Sequence, residues 1–473
     1  MKKRQVAAAS AIIGLALGGG TTLLMAEDDL GSDGNMMSDM SSSADESTVG
    51  ASGAAFEEAA IATGNTNTAD MSNAIFDACT SGDNVGSQFQ GDCSVLIRGG
   101  TTDPRGTTGA LVALTPDQVL ATNVAAEQQV RSGIGVATSR MLGARLASGI
   151  SSYRPGEALA SRLLFDQGAG GGASADALFG KMGAFATIKY LNAEQDSDGY
   201  TYGFDQDGWD FMVGADYRVQ PNLVVGAMAS YAQRQVDYKA NRGDMDVKGW
   251  GLAAYGTYFL DNGLFFEGIA GYMRNDYDLK RRINYSIAVD NVTTTVNQVA
   301  KADTDADVFY ATFGGGYSVA RGSFTFTPQA SLNYSRNAVD GYRESMSNPQ
   351  ANGGSFAMAV NSQTYKSLTS RLGFMLANAF STKVGVFVPQ LSIDWVHEFA
   401  DDQESLNTRF INDASRTVWS TETSEPDRNY FDVGIGLSGQ LPGGFSGFVA
   451  YNQLLGYDDV DSYTITGGVR FEF

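Results

Sequence analysis

From about Leu178 to Phe473 the chain alternates apolar and polar positions one residue at a time. Side chains on a strand project to opposite sides with period two, so each such run has one apolar and one polar face. Twelve strands are predicted, near residues 181–190, 207–219, 222–235, 246–260, 263–277, 305–320, 322–334, 365–380, 384–400, 428–440, 443–456 and 460–473. In the last, Tyr463, Ile465, Gly467, Val469, Phe471 and Phe473 share one face, while Ser462, Thr464, Thr466, Gly468, Arg470 and Glu472 share the other. The connections alternate in length. Gln220-Pro221, Asp261-Asn262, Arg321, Ser381-Thr382-Lys383 and Leu441-Pro442 are short, whereas the stretches near 191–206, 236–245, 278–304, 335–364 and 401–427 are long. Only the connection near 456–459 breaks the rule. An even strand count with short turns on one side and long loops on the other describes an outer-membrane barrel. A soluble β-sandwich would account for the alternation but not for the loop lengths or the aromatic last residue.

The first 177 residues read differently. Lys2, Lys3 and Arg4 precede an apolar run, Val6–Leu17, that is too short to span a bilayer, and cleavage between Ala26 and Glu27 completes an expected signal peptide over 1–26. Residues 27–70 are acidic and rich in Ser, Gly and Asp, and are expected to be disordered. A small element over 71–114 contains Cys79 and Cys93, the only two cysteines. In an exported chain these are expected to pair, closing a small loop worth roughly 3 kcal/mol. Residues 115–177 are predicted to hold a helix, with Thr115 as its N-cap, Pro116 at the first position and Gln118 at the capping-box position, followed by the Gly-rich linker 167–173. The barrel occupies 178–473.

Composition narrows the chemistry. A net charge of −21 argues against nucleic acid, whose binding rests on Lys and Arg neutralising phosphates. There is a single histidine, His397, on the apolar face of its strand beside Trp395 and Phe399. No residue before it can complete a Ser-His-Asp or Cys-His site, so no enzyme is expected. The His-x-Ser-Asn-Gly run of an outer-membrane phospholipase is absent, because Glu398, Phe399 and Ala400 follow His397. Asp-rich turns at 196–199, 205–208 and 303–307 lack the spacing and distal Glu of a calcium loop, and turns favour Asp and Gly in any case. No cofactor or metal site is expected.

The order of these segments resembles the translocation unit of an autotransporter (type V secretion). The matching stretches are LTPDQVLATNVAAEQQV (114–130), GWDFMVGADYRVQPNLVVGAMASYA (208–232), PQLSIDWVHEF (389–399) and the terminal VRFEF (469–473). NAIFDACTSG (73–82) resembles a small Cys-containing helical element that precedes the barrel in some members. The resemblance implies an all-β membrane protein: a 12-stranded antiparallel barrel with a lumenal α-helix, in the outer membrane of a Gram-negative cell, displaying its own short N-terminal segment. The passenger is far shorter than is common in the family, so passenger activities do not carry over. A barrel of this size should enclose about one helix. The expected lumen charges are Arg371, Asp394, Glu398, Asp432, Arg470 and Glu472, with Glu127, Arg131, Arg140 and Arg145 of the helix as partners, through ion pairs rather than apolar packing. Phe471 and Phe473 are expected to form the assembly signal read by the barrel-assembly machinery. Periplasmic chaperones, membrane lipid and lipopolysaccharide are the other expected partners of a monomer. The alternative is a porin or surface-loop adhesin whose N-terminal region stays in the periplasm or lumen.

Overall fold

A computed structural model describes residues 51–147, 182–400, 402–441 and 444–472. The expected signal peptide and its Ala26–Glu27 cleavage site, residues 27–50, the linker at 167–173 and Phe473 lie outside the described residues.

Twelve long antiparallel strands close into one barrel, each paired with its sequence neighbours and the first paired with the last. They are β1 (Met182–Gln195), β2 (Phe204–Gln220), β3 (Leu223–Tyr238), β4 (Gly243–Phe259), β5 (Leu264–Val289) and β6 (Val292–Tyr317). The second half comprises β7 (Phe324–Val339), β8 (Gln363–Asn378), β9 (Gly385–Glu398), β10 (Asn429–Gln440), β11 (Phe445–Leu455) and β12 (Val460–Glu472). Closure leaves no strand edge, so every backbone group at membrane depth has a partner. The faces follow the alternation. On β2, Trp209, Phe211, Val213 and Tyr217 point outward, while Asp210, Met212 and Asp216 are buried inside. Outward aromatics gather near both rims: Tyr190 packs on Trp209 and Trp250 on Tyr272 towards the long loops, and Phe445 on Phe471 towards the short turns. Such girdles suit the two membrane interfaces. Among the described residues no helix is long and apolar enough to cross a membrane.

The strands nearest the middle of the chain outgrow the membrane. β5 and β6 each have 26 residues, roughly 85 Å of strand at about 3.3 Å per residue. The apolar band needs only about 25 Å of height. The stretch 278–304, expected as a loop, is therefore the projecting part of one hairpin. Its turn residues Asp290 and Asn291 both have positive φ, the geometry of the two-residue turn that matches strand twist. The alternation of Leu279, Arg281, Ile283, Ile287 and Val289 did continue through this stretch. It was obscured by the charges Lys280, Arg281 and Arg282. Beside the hairpin, the other long loops contribute a four-stranded sheet of Tyr342–Arg343, Met358–Val360, Ser405–Phe410 and Val418–Glu422.

Against these projections sit four helices: α1 (51–61), α2 (Thr66–Thr80), α3 (Gln88–Thr102) and α4 (Pro104–Leu114). This corrects the expectation of disorder over 27–70 for its last twenty residues. Phe56, Ala59 and Ala60 of α1 are buried, an apolar stripe that the Ser- and Asp-rich surroundings had hidden. Cys79 and Cys93 form a disulfide that ties α2 to α3. The helices share one core with the barrel's loops. Phe89 packs on Phe356 and Phe410, Phe410 packs on Trp419, and Ile283, Ile287 and Val296 close the hairpin side. At Gly99 a Cβ would lie 2.6 Å from Ile287 Cγ2, so glycine lets α3 approach the hairpin. Polar contacts seal the rim. Asn67 donates to the carbonyls of Tyr200 and Glu422 and accepts from Glu422 N–H, and Asp92 accepts from Gly353, Ser355 N–H and Ser355 Oγ.

Phe89→Ala is expected to cost this outer unit roughly 3–5 kcal/mol. The measurement is proteolysis of 51–114 alongside the heat-modifiable gel migration of the barrel. Early cleavage with normal migration is expected, and unchanged protection would contradict the shared core. A second prediction concerns Asp413, in the loop beside α2. Burial pushes its carboxyl up, but hydrogen bonds from Ser415, Asn84 and the Thr417 and Ser415 amides outweigh this and hold it below the ordinary value of 3.8. A depressed carboxylate contributes stability above its unfolded pKa and loses it as pH falls through the folded one. Pepsin resistance of the outer unit should therefore weaken below about pH 4, and Asp413→Asn should flatten that dependence.

Candidate functional site

The lumen is filled by α5 (Ala121–Ala147), whose Ala, Gln, Arg, Leu and Met content favours helix. Its beginning differs from expectation. Thr115 does not cap it; the Thr115 hydroxyl donates back to Leu111 O at 2.9 Å and closes α4. Residues Asp117–Leu120 form a 3₁₀ turn without a side-chain cap, and α5 starts at Ala121. The N-terminal end of α5 lies at the long-loop mouth and its C-terminal end near the short turns, since Thr122 meets mid-strand Tyr277 while Arg145 meets Glu267 near the start of β5.

The helix is held by charge and by apolar packing together. Arg140 donates to Asp216 at 2.9 Å, and Arg470 reaches the other oxygen of the same carboxylate at 2.7 Å. Arg145 pairs with Glu267 and lies over the Phe265 ring. Arg131 donates to the Tyr430 hydroxyl at 2.8 Å and is 4.0 Å from Glu127, one turn back on α5. The expectation of ion pairs rather than apolar packing needs correction. Ala126, Val130, Ile134, Ala137 and Met141 pack on Met212, Met228, Met273, Ile269 and Val308 of the wall. Gly133 permits the approach, because a Cβ there would sit 2.7 Å from the Tyr310 hydroxyl oxygen.

The expected wall charges separate into two groups. Arg371 bonds Asp432 at 2.6 Å and lies 3.6 Å from Asp394, which also accepts from Gln329. Glu398 accepts from Ser367 Oγ and from the Leu368 and Ala400 amides. Both sets pair within the wall, not with α5. Arg470 also pairs with Glu472. Phe471 is on the lipid face. His397 lies between the Trp395 and Phe399 rings on the outward face, with Nδ1 at 2.9 Å from Asn429 Oδ1.

Sequence reasoning missed the partners that matter most to the helix: Asp216, Glu267 and Tyr430 on the wall, and a lock at the mouth. Asp216 shared inward parity with Asp210 and Met212, so the signal was present. At the mouth, Asp117 is buried and accepts from Arg242 at 2.8 Å and from Tyr202 N–H at 2.8 Å. Arg242 also donates to Val112 O and Thr115 O, the carbonyls left over where α4 ends, and lies over the Tyr202 ring. The helix leans on β2 to β7. On the opposite side remains a cavity of about 450 Å³, lined by small inward residues such as Gly434, Gly436, Ser438, Ala450 and Thr466.

The comparisons with known proteins fall on the barrel. The autotransporter β-domain model covers residues 184–452. The chain belongs to the autotransporter β-domain family. Related proteins include the putative uncharacterized protein YaiT of Escherichia coli K12, 23% identical over 60% of this chain and 26% of its own length. Esterase EstA of Pseudomonas aeruginosa is 24% identical over 54% of this chain and 37% of its own. This autotransporter thus spans about a quarter to a third of the length of those relatives. Among solved structures, the translocator domain of autotransporter NalP from Neisseria meningitidis is similar at 16% identity and TM-score 0.47, covering 64% of this chain and 92% of that one. The β domain of the Bordetella autotransporter BrkA is similar at 17% identity and TM-score 0.42, covering 62% and 99%. This autotransporter is an outer-membrane β-barrel protein.

Removing Arg145 leaves Glu267 buried without its partner, a loss of roughly 3–5 kcal/mol. Arg145→Met should lower the temperature at which the barrel unfolds in detergent, and adding Glu267→Gln should recover part of the loss. Equal unfolding temperatures for wild type and the single variant would show that the pair does not hold the helix.

Proposed function

We propose that this autotransporter carries its own N-terminal segment through the outer membrane and displays residues 51–114 at the cell surface. The observation that carries this reading is the path of the chain. The four-helix unit sits on the long-loop end, α5 descends through the lumen, and β1 begins at the short-turn end. The long loops of outer-membrane barrels are extracellular. The displayed segment acts by binding rather than by catalysis. A relative bears the name esterase, but the histidine that a hydrolytic triad needs is missing from residues 51–114 here, and His397 is on the barrel wall. Lipid and lipopolysaccharide surround a monomeric barrel. The C-terminal end of the chain, with Phe471 in β12 and Phe473 as the last residue of the sequence, is the part presented to periplasmic chaperones and the barrel-assembly machinery.

An epitope inserted beside Val85, in the turn between α2 and α3, should react with antibody on intact cells. The same epitope beside Val384, in a short turn, should react only after the outer membrane is opened. The reverse pattern would place the N-terminal unit in the periplasm and favour the porin reading.

A further inference from the structure

The wall where the helix leans carries an unusual set of donors. Six side chains of β2 to β5 and the β3–β4 turn donate to main-chain carbonyls of the segment that passes through the barrel. From the mouth inward, Arg281 donates to Leu114 O at 3.0 Å, Arg242 to Val112 O and Thr115 O at 3.0 and 2.7 Å, and Tyr238 to Gln118 O at 2.9 Å. Tyr277 donates to Thr122 O at 3.2 Å, Arg234 to Ala125 O at 3.2 Å, and Arg218 to Ala144 O at 3.5 Å near the short turns. A carbonyl belongs to every residue, so donors aimed at carbonyls hold a chain whatever its sequence. Arg234 and Arg281 are kept in place by Asp210 and Glu344, which belong to the barrel and its loops. Neither of these pairings involves α5.

Two further observations fit a chain in motion. The facing side of the lumen keeps the 450 Å³ cavity, where Gly434, Gly436, Ser438, Ala450 and Thr466 stand among larger residues such as Arg371, Gln390, Phe448 and Asn452, so there is room for side chains while the backbone is held opposite. The segment ahead of the helix contains no Lys or Arg between Arg4 and Arg98, while Asp and Glu recur through it. After Arg4, only Arg98 and Arg105 bring cations ahead of the helix to the row of guanidinium groups, and the more numerous carboxylates can exchange with carbonyls as acceptors.

We propose that this donor row is a polypeptide-binding track, whose ligand is the main chain of the segment under export. The proposal rests on the outward transport proposed above. It differs from a purely static role, in which the same donors only cap α4 and pin α5 after arrival.

The test is the rate at which the Val85 epitope becomes antibody-accessible on intact cells after a pulse of synthesis, using the full chain. Wild type is compared with Arg281→Gln/Glu344→Gln and Arg234→Gln/Asp210→Asn, pairs that remove the charges without stranding a partner. Barrel folding is followed in parallel by heat-modifiable migration. A track predicts arrival about tenfold slower for each pair, the factor that a lost charged hydrogen bond gives, with the folded barrel forming at its normal rate. Unchanged arrival combined with a protease-sensitive outer unit would overturn the track and leave static capping. If a charge-pair variant slows barrel folding, Tyr277→Phe, which removes one hydroxyl and no charge, should still delay arrival by about twofold. Normal arrival in that variant would count against the track. Failure of the wild-type epitope to appear at all would overturn the transport reading itself, an outcome distinct from any difference between variants.

Discussion

Backbone carbonyls that lose their helical partners where a helix ends need new donors, and the pair formed by Asp117 and Arg242 is where this autotransporter meets that constraint most sharply. Both side chains are buried at the mouth, where α4 has ended and α5 has not begun. The carbonyls left over at such a break need donors, and the Asp carboxylate needs a cation. Arg242 supplies both at once, because its planar fork presents several donors in fixed directions. The 3₁₀ turn, the descent of α5 and the placement of α4 on the hairpin all depend on that junction.

Above the junction, one hydrophobic core serves two parts of the molecule. The outer helices contribute Phe56, Met71, Ile75, Phe89 and Leu111, and the barrel's projecting hairpin and loops contribute Ile283, Ile287, Phe356 and Phe410. Fully burying side chains of this size is worth about 1.5–3 kcal/mol each. Much of that gain exists only when the helices rest on the loops. A unit of some sixty residues with a single disulfide has little core of its own, so the barrel's mouth completes it. Below the junction the logic changes. The lumen mixes methionine with buried ion pairs, and Arg131, Arg140 and Arg145 of the helix each meet a hydroxyl or carboxylate from a different strand, which sets the rotation and depth of the helix.

Much of this was legible in the chain. Strict alternation, loop lengths and strand count give the barrel directly, because strand periodicity and the lipid boundary act on every residue. The inward parity of Arg371, Asp394, Asp432 and Arg470 was legible for the same reason. What they pair with was not. Parity says which face a residue occupies, and not which of eleven other strands lies opposite. Asp216 and Glu267 were readable as inward residues but not as the anchors of Arg140 and Arg145. The hairpin was missed because Lys280, Arg281 and Arg282 interrupt the apolar positions just where β5 leaves the membrane, although its alternation runs on. The helix start was misplaced because Thr115-Pro116 satisfies the local rule for an N-cap, while the Thr115 hydroxyl is taken by Leu111 O and by Thr68.

The sequence by itself determined that a closed barrel forms, which faces its strands turn to lipid, and that a helical segment precedes it. These are local or periodic properties, set by backbone geometry and the solvent on each side. Tertiary structure alone decided that the helix leans on one wall, that its carbonyls meet a row of arginines and tyrosines, and that the outer helices borrow their core from the loops. Those outcomes depend on contacts between residues 74 or more positions apart. Only closure of the barrel brings such residues together, and no local pattern encodes the distance.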